Sequence, residues 1–187
     1  MKQLFTFLSL CAVISLTSCG GEEKPDEGDT QEVKELKGHD ELDLSEYGYN
    51  LSLMVPDENV GIPSVEVTDW GNVEIRVGKA FGIQIIEGPG DFDLLKSDLN
   101  DDLVFKSEII SEEPDCIIYK RVIPDTQIEP QFNFFYVSKI DGLTYEVQNL
   151  KDETYSEGAI KKMVDAVRTL HSNKANSGDD GSADDAA

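Results

Sequence analysis

The chain has 187 residues, of which 38 are acidic and 16 basic, so its formal net charge is −22 at pH 7. A surface with this excess of negative charge repels phosphate backbones, which excludes nucleic acid as an expected partner. With two histidines and three cysteines, the chain also lacks the ligands of an ordinary zinc site.

The first segment has the features of a secretory signal peptide. Lys2 gives it a positive start, residues 4–16 are apolar and uncharged, and small residues precede Cys19. The apolar run is shorter than the roughly 20 residues that a membrane-spanning helix needs. The combination resembles the type II signal peptides of bacterial lipoproteins. This resemblance implies that residues 1–18 are removed and that Cys19 becomes the N-terminus and carries a covalent lipid.

The residues after the cysteine bear on location. Gly20 stands where enterobacterial lipoproteins retained at the inner membrane have an aspartate, and Glu22-Glu23 is similar to the acidic export signal of Bacteroidota surface lipoproteins. The resemblance implies an outer-membrane, surface-exposed protein held in the membrane by its lipid, with no other cofactor. The alternatives for the first segment are an ordinary cleaved signal peptide with a chance cysteine, or an N-terminal helix of the domain. The alternative for Glu22-Glu23 is that these glutamates only solvate a tether.

Residues 19–44 are predicted to form an acidic tether. Charged residues and glycine dominate this stretch, so it can bury too little apolar surface to offset the entropy of ordering. A flexible chain of about 25 residues reaches roughly 25–30 Å, enough to hold a domain clear of a membrane. Removal of Cys11 and acylation of Cys19 leave only Cys116, so no internal disulfide is expected.

Residues 45–171 are predicted to form one folded domain that begins with strands. Apolar residues alternate with polar ones, which is the period of a strand. In residues 50–55, Leu51, Leu53 and Val55 are expected on the opposite face from Ser52 and Met54. Further strands are predicted at residues 65–67, 73–77 and 81–85, the first two joined as a hairpin by Asp69-Trp70-Gly71-Asn72.

A second group of strands follows a short helix. Gly88-Pro89-Gly90 is predicted to end the first group, and Asp91 to cap the helix that follows. Three or four strands are then expected, of which the second and third are apolar on both faces and belong in the middle of a covered sheet. Asp141-Gly142 predicts a tight hairpin between the last two. The four strands are predicted at residues 104–111, 116–123, 131–140 and 143–149.

The last predicted element is an amphipathic helix. Thr154 and Glu157 have the spacing of a capping box, and an apolar stripe follows, formed by Ile160, Met163, Val164, Val167 and Leu170. The order of elements predicts an α+β fold, with a short helix and this C-terminal helix packed on a mostly antiparallel sheet. Residues 172–187 are predicted to be a disordered acidic tail.

The end of the domain is similar to the end of Mog1/PsbP-like domains. The similarity lies in the strand over residues 142–147 followed by the helix over residues 160–170. It implies a binding or assembly accessory, and no motif in it carries a functional residue over to this chain.

Catalytic and metal-binding motifs are not evident. His39 falls in the tether and His171 at the end of the last helix, so no nucleophile has an obvious base. Cys116 begins a central strand and is expected to be buried and inert. The acidic run at residues 98–102 differs from an EF-hand loop, because Leu103 replaces the required glycine and Ile109 the bidentate glutamate. No metal site is therefore predicted, and a weak calcium contact is the alternative.

Trp70, at the predicted hairpin tip, forms a candidate aromatic patch with Tyr47 and Tyr49, suited to stacking on a sugar or a partner protein. The alternative is that Trp70 folds back over the end of the sheet. We therefore expect a lipid-anchored envelope protein, not an enzyme, whose domain binds or assembles with an unidentified protein or glycan. The alternative function is a small envelope hydrolase, which two inward carboxylates in a deep pocket would favour.

Overall fold

The computed structural model describes residues 35–173, which fold into an α+β domain as predicted, with two helices and two mostly antiparallel sheets in this part of the chain. The predicted signal peptide, Cys19 and residues 174–187 lie outside the described residues. The strands are β1 His39–Asp43, β2 Leu51–Pro56, β3 Ser64–Val67, β4 Val73–Val77, β5 Phe81–Glu87, β6 Lys106–Glu113, β7 Cys116–Val122, β8 Gln131–Ile140, β9 Leu143–Asn149 and β10 His171–Ser172. The helices are α1 Phe92–Asp101 and α2 Glu157–Val167.

The smaller sheet has the order β1-β2-β10, and it changes the expected domain boundaries. Residues 39–43 belong to β1 and pair antiparallel with β2, so the prediction of a tether up to residue 44 was wrong. An edge strand needs to bury only one side, and Leu42 packs against the core while its acidic neighbours stay in solvent. Ser172, predicted to begin the tail, pairs with Leu51 in β10.

The larger sheet has seven strands in the order β3-β4-β5-β9-β8-β7-β6. The β3–β4 hairpin was predicted correctly, with Val65 opposite Ile75. The β8–β9 hairpin was also predicted correctly. Asp141 and Gly142 have φ values of 51° and 80°, and a two-residue hairpin turn requires positive φ at both positions. The two-sided strands β7 and β8 lie inside the sheet, as their apolar runs indicated.

One face of the larger sheet, the core face, carries the hydrophobic core. It is covered by α2 and β2, whose apolar residues form one buried cluster with those of the large sheet. In register across the strands, Val73 lies opposite Ile85, Ile85 opposite Val147 and Val147 opposite Tyr136. The core face thus presents an unbroken apolar surface formed by Val73, Ile75, Val77, Phe81, Ile83, Ile85, Cys116, Ile118, Phe134, Tyr136, Tyr145 and Val147.

The ends of α2 differ from the prediction. Its N-cap is Ser156, whose Oγ accepts a hydrogen bond from the backbone of Ala159, so the predicted cap at Thr154 was wrong. The helix ends at Val167, and Arg168 forms an ion pair with Glu113 at 2.6 Å. His171 lies in β10, where its Nε2 is 3.2 Å from a carboxylate oxygen of Glu41.

Strand β2 is buried on both sides. Ser52 and Met54, expected on a different face from the core residues, are themselves buried. The backbone N–H of Met54 donates to Thr169 Oγ1, so the segment after α2 covers this side of the strand. Neither described helix is long and apolar enough to cross a membrane.

Candidate functional site

Trp70 lies at the tip of the β3–β4 hairpin with 90% of its surface exposed. The turn beneath it is ordered by backbone hydrogen bonds from Thr68 to Asn72 and from Gly71 to Thr68, both 2.9 Å. Gly71 has a φ of +78°, which suits glycine at this position. The alternative in which Trp70 folds back over the sheet was therefore wrong.

Tyr49 lies beneath this turn. Its hydroxyl donates a hydrogen bond to the carbonyl of Gly71, while the residue packs against the edge of the core. Tyr47 lies two residues earlier on a short 3₁₀ turn, Ser45–Tyr47, and is 38% exposed. The structure thus brings Tyr49 into contact with the turn that carries Trp70. Tyr47 is exposed on the preceding 3₁₀ turn.

The second face of the larger sheet, the cleft face, is partly covered by α1. Its residues alternate along each strand with those of the core face. In β8, for example, Asn133, Phe135 and Val137 lie on the cleft face. Phe92 at the start of α1 meets Phe135 edge to face, with ring centroids 5.4 Å apart. The helix also meets the edge strand β6, where Lys96 Nζ lies 2.5 Å from a carboxylate oxygen of Glu112. An open cleft remains between α1 and the sheet.

The segment Gly88-Pro89-Gly90 leads into α1 and lies in close contact with β8 and β9. A carboxylate oxygen of Glu146 accepts a hydrogen bond from the backbone of Gly90 at 2.8 Å. A Cβ at Gly88 would lie 2.7 Å from that carboxylate, and one at Gly90 would lie 2.6 Å from Val137. These approaches require glycine, and the helix then starts at the predicted N-cap Asp91, whose Oδ1 accepts from Asp93 and Leu94.

The cleft has a volume of about 310 Å³. One wall is α1, the floor is formed by β7, β8 and β9, and the opposite wall is the segment 151–154. Most of the lining side chains can form hydrogen bonds. They include Asp91, Asp98, Tyr119, Arg121, Gln131, Asn133, Glu146, Gln148, Lys151, Glu153 and Thr154, together with Pro89, Leu94, Leu95, Leu99, Phe132 and Phe135.

The floor is shaped by Asn149 at the point where β8 and β9 separate. Its Oδ1 accepts from the backbone of Phe134 at 3.0 Å, in place of a regular strand-to-strand bond. Its Nδ2 donates to Asn133 Oδ1 at 3.3 Å and to the carbonyl of Leu150. This buried amide fixes the side chain of Asn133 at the floor of the cleft.

Arg121 is a fixed cation in the lining of the cleft. The guanidinium of Arg121 lies 4.1 Å from the ring of Phe105 and is hydrogen-bonded to Asp102. Backbone hydrogen bonds from Phe105 and Val104, together with Arg121, lower the pKa of Asp102. Asp102 is therefore fully engaged, and no group of metal-ligating side chains occurs among residues 35–173.

The opposite wall is held by an ion-pair network. Arg76 lies 2.9 Å from Glu74 and 3.0 Å from Asp152, and its Nε is 4.0 Å from Glu153. Tyr155 follows this segment, and its hydroxyl occupies the space that a side chain at Gly82 would need. Burial raises the pKa of Tyr155. The wall is thus anchored both to the sheet and to the core.

Cys116 is buried, as expected, and lies on the core face away from the cleft. Burial raises the pKa of its thiol to about 12, because the low-polarity surroundings disfavour the thiolate. A thiol in this state is a poor nucleophile at neutral pH.

The sequence analysis missed the cleft residues. Gln131, Asn133, Glu146 and Gln148 occupy the polar positions of alternating strands, a pattern that normally marks a solvated sheet face. The alternation was visible in β9, but nothing local indicated that α1 would lie over these positions.

No protein-family model matches this chain, and comparisons with curated proteins and with solved structures also give no match. The functional argument therefore depends on the residues and geometry of this chain alone.

Proposed function

We propose that this protein is a surface-exposed lipoprotein of a bacterial outer membrane whose domain binds a protein or glycan partner and catalyses no reaction. The observation that carries the binding role is the exposure of Trp70 on an ordered turn.

Trp70 suits a contact residue for physical reasons. An exposed indole gains a large apolar contact when a partner covers it, and tryptophan is enriched at the centres of interfaces. The turn is already held by Tyr49 and by its own backbone bonds, so binding need not order it. The ring can stack on a sugar or on a protein side chain, whereas the net charge of −22 disfavours nucleic acid.

The anchor is tested at Cys19. Cells expressing the wild type or Cys19→Ala are labelled with an alkyne analogue of palmitate, and intact cells are treated with protease. We expect label in the wild type only, together with loss of the wild-type domain to protease. An unlabelled wild type would contradict the anchor, and a protected domain would contradict surface exposure.

The binding role is tested with Trp70→Ala. Partner capture is measured by photo-crosslinking on intact cells, with Leu143→Ala as the control because Leu143 is an exposed apolar residue on a different hairpin. We expect Trp70→Ala to lose the crosslinked species while its unfolding midpoint stays within about 2 °C of the wild type. Equal crosslinking by both variants would contradict a role for Trp70.

A carboxylate-based hydrolase is the second candidate, because four carboxylates line the cleft. Two of them have structural tasks: Asp91 caps α1 and Glu146 binds the Gly90 backbone. The candidate acid and base are Asp98 and Glu153, of which Glu153 also lies 4.0 Å from Arg76. Incubation of the protein with oligosaccharides, followed by chromatography, should show no cleavage. Cleavage abolished by Asp98→Asn or Glu153→Gln would establish the hydrolase instead.

A further inference from the structure

We propose that the cleft between α1 and the cleft face of the sheet is a binding site for a neutral saccharide. This site is separate from the Trp70 turn and goes beyond the proposed function, so either can fail without the other. Its volume of about 310 Å³ lies at the lower end of the range of about 300–1,000 Å³ found for small-molecule sites.

The cleft contains hydrogen-bonding side chains with no task inside the domain. Gln131, Gln148 and Thr154 line it, and their side chains form no hydrogen bond with any other residue between 35 and 173. Each amide offers donors and an acceptor, and a hydroxyl offers both in one group. A ligand rich in hydroxyl groups complements such a set, because each of its hydroxyls also donates and accepts.

The charges that remain free in the cleft cancel. Asp91 and Glu146 bind backbone N–H groups, Arg121 is paired with Asp102, and Glu153 lies beside Arg76. This leaves Asp98 and Lys151, for which no ion pair occurs among the described residues. A neutral ligand is favoured for two reasons. The four lining carboxylates, engaged or not, outnumber the two lining cations and so repel an anion, and a polycation would find only Asp98 without a partner among the described residues.

Apolar groups are also in place for the C–H surfaces of a sugar ring. Leu94 on α1 is 55% exposed, Pro89 is exposed beside it, and both line the cleft. The rings of Tyr119 and Phe135 form part of the floor. Alternating polar and apolar contacts of this kind match a saccharide, which has hydroxyls at its rim and C–H groups on its faces.

A peptide is less suited to this position. Peptides often bind by adding a strand to a free sheet edge. The floor consists of β7, β8 and β9, which all lie inside the sheet, so their backbone groups already pair with neighbouring strands. The cleft therefore offers side chains to a ligand but no open backbone edge.

The test uses the full chain, purified in detergent, on a microarray that carries neutral, anionic and amino-sugar oligosaccharides. The strongest neutral binder is then titrated by calorimetry against the wild type, the double variant Gln131→Ala/Gln148→Ala, and the matched control Gln127→Ala. Gln127 is an exposed glutamine that does not line the cleft. Circular dichroism and the unfolding midpoint establish that each variant is folded.

We expect the double variant to bind about 10-fold more weakly, as loss of two neutral hydrogen bonds implies, and Gln127→Ala to bind like the wild type. Trp70→Ala should also keep its saccharide affinity, which separates this site from the Trp70 turn. The proposal is overturned if no neutral saccharide binds at about 10 mM, if anionic glycans bind better, or if the folded double variant retains full affinity.

Discussion

The two faces of the larger sheet are formed by the same strands but have opposite properties. The core face is apolar from β4 across to β7 and is sealed by α2 and β2. The cleft face carries glutamine, asparagine and charged side chains, and α1 covers only part of it. Because neighbouring residues of a strand point to opposite sides, one register serves both faces.

We expect the core face to determine the stability of the domain and the cleft face to determine what it binds. Residues of the core face are held by packing, so their loss removes buried apolar area and leaves a cavity. The polar residues of the cleft face, such as Gln131 and Gln148, are partly exposed and have side chains that form no hydrogen bond within residues 35–173, whereas Tyr119 and Phe135 on the same face are buried. We therefore expect substitutions on the core face to change the free energy of unfolding, and most substitutions on the cleft face to change binding alone.

The largest effect is expected when a buried side chain of α2 is shortened, compared with an exposed side chain of α1. Met163 of α2 has no exposed surface, so Met163→Ala should lower the free energy of unfolding by about 2–5 kcal/mol. Leu94→Ala on α1 should change it by less than about 0.5 kcal/mol, because Leu94 is largely exposed. Urea unfolding followed by fluorescence measures both. Similar losses for the two variants would mean that the faces are not energetically distinct.

The next largest effect is expected at Gly90, which joins α1 to the cleft face. Gly90→Ala should cost about 2–3 kcal/mol, because it strains a backbone with φ of +68° and places a Cβ against Val137. Gly142→Ala is the control, since its φ is +80° but its Cβ would meet nothing within 4 Å. We expect about 1 kcal/mol there. Equal unfolding midpoints in urea would show that the close approach at Gly90 is not needed.

Alkaline pH should lower the free energy of unfolding through Cys116, which is buried on the core face. The folded protein holds the Cys116 proton more tightly than the unfolded chain, because burial raises the pKa from 9.0 to about 12. The contribution is complete below pH 9 and is lost as the pH rises towards 12, by at most about 1.4 kcal/mol per pH unit. Unfolding midpoints between pH 8 and 11 should fall less steeply for Cys116→Ala. The slope that remains reflects Tyr119, Tyr136, Tyr145 and Tyr155, whose pKa values burial also raises. Identical slopes would contradict the role of Cys116.

The smallest change in stability is expected at the N-cap of α2, where Ser156 and Thr154 are the two candidate caps. Ser156→Ala should destabilise the protein by about 1 kcal/mol, because Ser156 Oγ accepts from the Ala159 backbone. Thr154→Ala should be close to neutral, since Thr154 lies before the helix in the wall of the cleft. Thermal unfolding of both variants decides between them, and a larger loss for Thr154→Ala would restore the capping box predicted from sequence.

Local signals predicted much of the fold correctly. The Asp141-Gly142 turn, the β3–β4 hairpin and the Asp91 cap each depend on a few adjacent residues whose conformational preferences agree. The burial of Cys116 followed from its position at the start of an apolar strand.

Long-range pairing accounts for what was missed. Strand β1 has little apolar character of its own and forms because β2 pairs with it, and β10 depends on the same strand from the far end of the chain. Tyr155 is buried beside Gly82, so the helix starts after it and Ser156 becomes the cap. The cleft depends on where α1 lies, which no single stretch of sequence specifies. Trp70 could be placed on a turn from its neighbours, but neither its exposure nor the hydrogen bond from Tyr49 to that turn could be predicted from the local sequence.

The position of β1 has a mechanical consequence. It lies at the edge of the small sheet and joins the domain through five residue pairs with β2. Tension transmitted along the chain from before His39 would therefore load these pairs first. Under such tension, β1 should peel away before the seven-stranded sheet is strained, so the larger sheet and its cleft would stay folded while the chain before β2 lengthens.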